Sequence, residues 1–184
     1  MTLKVTGAAA LLALGLAGCS PAVGSRVLSP EKAGMTCPDA TLCIEDTARL
    51  AQARALRAEG ARFVQARFGA FERQPRVLFC TTPECSAKFG MDGPIALTFG
   101  TAGIVIGHRG WRDYVIRHEM IHHRQGEVFG PTQTSLVLPK WFIEGAAYAL
   151  SEDPRRPLPR QDIENWRKQF EAWQAQGKTW RDKP

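Results

Sequence analysis

The chain has 184 residues, 24 Lys and Arg against 18 Asp and Glu, and a formal net charge of +6. That length suits one domain with a full core, and the arginine-rich excess reads as a solvated exterior able to attract anionic lipid or acidic polymers. With no Gly-rich phosphate loop, interleaved aromatic–basic patch, internal repeat or low-complexity tract, nucleic acid is not an expected partner.

Met1-Thr2-Leu3-Lys4 places one positive charge before an apolar run from Val5 through Gly18. This is the layout of a secretory signal peptide, and the run is too short to span a bilayer. Leu16-Ala17-Gly18-Cys19 resembles the bacterial lipobox. The resemblance implies that residues 1–18 are removed and that Cys19 becomes a lipidated N-terminus, anchoring the protein to a membrane. Ser20, not an acidic residue, follows the cysteine. By resemblance to Gram-negative sorting rules, this points to the periplasmic face of the outer membrane. Residues 19–35, with Pro21 and Pro30 among small side chains, are expected to form a tether, and 36–184 a single domain.

Cys37, Cys43, Cys80 and Cys85 then remain, an even number in an exported chain, which points to disulfides. The local pairs Cys37–Cys43 and Cys80–Cys85 are preferred because each is close in sequence and turn-rich. A structural zinc site competes poorly, since these gaps do not match the usual two-residue knuckle.

From Asp46 to about Phe68 the chain is Ala- and Arg-rich and favours helix, with a rough stripe of Leu50, Leu56, Phe63, Val64 and Phe68 that Gly60 is expected to interrupt. Arg76–Cys80 reads as a strand after Pro75, and Pro83–Phe89 as a brief helix closed by Gly90. Ile95–Phe99 and Ile104–Ile106 form a hairpin around Gly100-Thr101-Ala102-Gly103. It leads into a helix from Arg112 to Arg124, ending near Gly126. Pro139 starts a second helix that runs through Leu150 and stops at Asp153-Pro154. In a last helix Ile163, Trp166, Phe170 and Trp173 repeat at helical spacing as core packing, with Gly177 as its stop. The order predicts an α+β fold.

His118-Glu119-Met120-Ile121-His122 carries the chemistry. Imidazoles four residues apart lie one turn apart on the same helix face, where both reach one metal ion with a carboxylate beside them. A catalytic zinc needs a third protein ligand and an open position for water. A third histidine beyond a turning glycine fails here, because Gly126 is one residue late and Phe129 stands three residues beyond it. Glu144 is the only carboxylate between Pro139 and Leu150 and is a candidate, unless it pairs with Lys140 or an arginine.

His118-Glu119-x-x-His122 followed by Pro139-x-Trp141-Phe142-x-Glu144-Gly145-x-Ala147 resembles the gluzincin branch of zinc metallopeptidases, the thermolysin-like enzymes, and in particular compact members with a Trp-x-x-Glu-Gly second helix. The likeness covers about Ile95 to Ser151. It implies a zincin-like core, with a small sheet packed on the first of these helices. It also implies one Zn²⁺ held by His118, His122 and Glu144, and Glu119 as general base in hydrolysis of a peptide or protein substrate of the cell envelope.

The chain departs from the pattern at Tyr148, where thermolysin-like enzymes carry an acidic residue that orients a zinc histidine. The phenol could accept the histidine N–H, stabilise the oxyanion as a catalytic group, or pack. His123 is turned about 100° from His122 and is not expected on the same ion. His108, Tyr114 and His123 are further candidate donors to the transition state. So little chain follows Leu150 that one wall of the cleft is expected to come from elsewhere, or the cleft to be open. The rival class is a non-catalytic lipoprotein using a zincin-like domain as a binding scaffold; a peptidoglycan cross-link is a weaker option for the substrate.

Overall fold

A computed structural model describes residues 21–184; the expected signal peptide, residues 1–18, and Cys19 lie outside the described residues. The strands are β1 (Thr36–Asp39), β2 (Leu42–Ile44), β3 (Val77–Phe79), β4 (Ala96–Phe99) and β5 (Gly103–Ile106). They form one sheet in the order β1-β2-β3-β5-β4. β2, β3 and β5 run parallel, and an antiparallel strand closes each edge. The helices are α1 (Pro21–Leu28), α2 (Leu50–Phe68), α3 (Pro83–Lys88), α4 (Asp113–Phe129), α5 (Lys140–Leu150) and α6 (Gln161–Gln174). The fold is α+β.

The three central strands are short but wholly apolar, which suits strands covered on both faces. Alternation sends Leu42, Ile44, Val77, Phe79, Ile104 and Ile106 into a large core with α2, α4 and α5. Cys43, Leu78 and Val105 face a smaller core with Val27, Met35, Cys85 and Phe89. The residues expected to form a tether therefore include α1 and a 3₁₀ turn at Pro30–Ala33, and Val27 is buried against the sheet. The cysteines pair as Cys37–Cys43 and Cys80–Cys85, which removes the thiolates a structural zinc site would need. Among the described residues no helix is long and apolar enough to cross a membrane.

Gly60 does not break α2. A Cβ there would come within 3.1 Å of Ile116 and Met120, so the missing side chain lets α2 lie close against α4. Nor does α4 end at Gly126; it continues through Val128 to Phe129, which packs on Phe142 and Trp180. The stripe on α6 divides. Phe170 is fully buried, Trp173 packs on Trp141, but Ile163 and Trp166 face the cleft. Between them Arg167 pairs with the buried Glu164, whose carboxylate also accepts from Leu158 N–H. The loop from Leu150 to Gln161 and the start of α6 thus supply the cleft wall from within the chain.

At Gly145 α5 lies directly against the backbone of α6. A Cβ there would overlap the Trp166 carbonyl oxygen and lie 2.9 Å from its carbon. Backbone cannot swing aside as a side chain does. Gly145→Ala should therefore cost about 1–3 kcal/mol or more, read as a lower urea midpoint at unchanged slope.

Candidate metal centre and cleft

His118 and His122 project from one face of α4, and Glu144 from the middle of α5. The two imidazole Nε2 atoms are 3.0 Å apart, and Glu144 Oε2 lies 3.5 Å from the first and 3.4 Å from the second. These side chains are 11%, 14% and 28% exposed. Glu144 pairs with neither Lys140 nor an arginine; its partners are the two rings. Three ligand atoms within 4.8 Å of one another form a group that could hold a metal ion.

Electrostatics favours a cation there. Burial alone would keep His122 neutral, but the Glu144 carboxylate, with Glu119 behind it, outweighs that and raises its pKa to about 9. Glu144 is likewise resisted by burial, yet the two imidazoles hold it well below the usual carboxylate range. Proton and metal ion compete for the same three atoms.

His122 is oriented by Gln125, one turn further along the same helix face. Gln125 Oε1 lies 2.8 Å from His122 Nδ1, and its Nε2 donates to the Ile143 carbonyl of α5 at 3.1 Å. With the amide nitrogen so engaged, the oxygen faces the ring, so in the neutral imidazole His122 Nδ1 carries the hydrogen and Nε2 has its lone pair free for a metal. Gln125 is almost fully buried, so one amide orients His122 and joins the two helices. Gln125→Leu should weaken divalent-metal binding by about 10–100-fold, read by competition with a chromophoric chelator.

The Glu119 carboxylate lies in the cleft beside the rings, where Thr98 of β4 donates to Oε2 at 2.7 Å. That bond ties the end strand of the sheet to α4. Tyr148 sets its ring edge-on to His118, centroids 4.3 Å apart. Its hydroxyl has no hydrogen bond to a histidine; the orienting bond present is the one between Gln125 and the other ring, His122. Burial first, then Glu144 and Glu119, push the phenol up to about 12, which keeps it protonated and able to donate.

Of the other candidate donors, Tyr114 faces the cleft and its oxygen accepts from Arg112 at 3.1 Å. His108 does not line the cleft and pairs with Ser86 at 2.9 Å. His123 points the other way, edge to Phe71 and 3.4 Å from Glu127, and burial keeps it neutral. The cleft encloses about 740 Å³, with Ala96, Leu97 and Thr98 of β4 on one side and Ile163 and Trp166 of α6 on the other. Comparison of the chain with protein-family models, curated proteins and solved structures finds no match.

Proposed function

We propose that this protein is a zinc-dependent metallopeptidase of the gluzincin kind that hydrolyses peptide bonds in the bacterial cell envelope. The observation that carries the reading is the meeting of His118, His122 and Glu144 from two helices, with the Glu119 carboxylate in the same cleft. Ligands about 2.0–2.2 Å from a tetrahedral zinc are roughly 3.3–3.6 Å from one another; the two histidine–Glu144 separations, 3.5 and 3.4 Å, fall in that range, and the two nitrogens stand slightly closer at 3.0 Å. Two nitrogens and one carboxylate are also the donor set that leaves zinc a position for water.

Zinc, when bound, lowers the pKa of water toward about 7 and polarises the scissile carbonyl. Glu119, held by Thr98, takes the proton from the attacking water and passes it to the departing amine. Tyr148 and Tyr114 are the hydroxyl donors available to a developing oxyanion. An extended substrate lies along β4, the last strand of the sheet, using its backbone groups. Export with a lipid on Cys19 belongs to the same proposal, and the two disulfides are what an oxidising compartment permits.

Metal analysis of the purified protein should return one zinc per chain. Cleavage of unfolded protein or of cell-wall peptide should stop with a chelator and return with zinc. A protein that holds zinc but cuts neither would instead be a binding scaffold.

A further inference from the structure

The loop after α5 puts an arginine into the cleft in a manner that helix packing does not require. Asp153, 2% exposed, accepts from the Arg155 backbone N–H at 2.9 Å and from its Nε at 2.9 Å, and forms an ion pair with Nη2. The same guanidinium carbon stands 5.1 Å from the centre of the Tyr114 ring. One edge of the guanidinium is thus occupied and one face is backed by an aromatic ring. Nη1 has no hydrogen bond among the described residues, and the side chain is 37% exposed in the cleft wall. An arginine so fixed loses little conformational freedom when a ligand docks, and its remaining donors suit a planar anion.

The charge around it points the same way. Three carboxylates, Glu119, Glu144 and Asp153, face two basic groups, Lys140 and Arg155, in the cleft lining, and a third, Arg160, is paired with Asp162. A divalent cation on the histidines leaves that lining positive. Lys140 makes no ion pair among the described residues.

We propose that Arg155, positioned by Asp153, is a specificity-determining residue that binds a carboxylate of the peptide substrate. The inference rests on the metallopeptidase reading and gives it a substrate class: peptides carrying an anionic group beside the scissile bond. That group is either the chain-terminal carboxylate or an acidic side chain.

The test uses the full-length zinc-loaded protein and a set of peptidyl hydroxamates, which bind zinc without being cut. One pair differs in a C-terminal acid against amide, the other in an internal Glu against Gln. Calorimetry should give roughly tenfold or more tighter binding for the acid member of one pair, and which pair responds identifies the source of the carboxylate. In the double variant Asp153→Asn/Arg155→Gln no buried charge is left unpaired, so the loop is expected to keep its place. There the acid preference should fall to within about twofold, while the amide members bind as before and zinc stays at one per chain. Equal binding of acid and amide by the wild type, or a preference that survives in the double variant, overturns the assignment. A protein that holds no zinc and binds no hydroxamate overturns the metallopeptidase reading and this inference together.

Discussion

Glu119→Gln should leave zinc content unchanged and lower peptide hydrolysis by about 10²–10⁴-fold. The substitution conserves volume, and the amide oxygen can still accept from Thr98, so the side chain has no reason to leave its place. What it loses is basicity: an amide cannot take a proton from water at neutral pH. The metal is held by other residues, so its affinity gives an internal control. Hydrolysis within a few-fold of wild type would remove Glu119 from the base role. Loss of zinc along with activity would make its contribution structural.

Glu144→Gln should do the reverse, removing the metal first and the activity as a consequence. Its loss of zinc affinity should exceed the 10–100-fold expected of a supporting residue such as Gln125. It should also change how the protein responds to pH. In the metal-free wild type, His122 has a folded pKa of about 9 against an ordinary 6.5. The stabilisation this provides is complete below about 6.5 and is lost as pH rises through 9. Glu144 is shifted the other way, so its share is present above its ordinary 4.5 and is lost as pH falls through its lowered value.

Melting of the chelator-treated protein should therefore drop between pH 6.5 and 9, and this slope should be much shallower in Glu144→Gln, where only Glu119 and Gln125 still favour the His122 proton. Because zinc must displace the His122 proton, affinity should climb up to about tenfold per pH unit over the same interval. A flat melting profile in the wild type would show that the three side chains do not share a charge.

Much of this site could be read from spacing, because helices repeat predictably. His118, Glu119 and His122 needed only the 3.6-residue period, and Glu144 stood out as a lone carboxylate in an apolar helix. Gln125 was within reach of the same logic, since a residue three positions after a ligand shares its face. Thr98 carried no signal, because its approach to Glu119 depends on how the sheet edge lies on α4. Arg155 carried no signal either, because only the folding of residues 151–160 brings it to the cleft.

The fold divides in the same way. Long elements declared themselves, whereas β1 and β2, of four and three residues around Cys37 and Cys43, were too short for any period to register. Gly60 and Gly126 read as breaks from propensity, which knows nothing of a neighbouring helix. Tight packing of Ile116 and Met120 against α2, and of Phe129 beyond Gly126, outweighs the local cost of each glycine.

The close seating of α4 on α2 reaches as far as the choice of ion. With its rear face pressed on Gly60, the helix that carries the two rings is firmly seated before any cation arrives. Calcium seeks six to eight oxygens at about 2.3–2.6 Å and would find a single carboxylate beside two nitrogens. Magnesium, reluctant to shed its waters, fares no better. On the proposed reading, two nitrogens and one carboxylate suit a borderline transition metal better than these hard ions, and the firm back of the helix keeps those donors together.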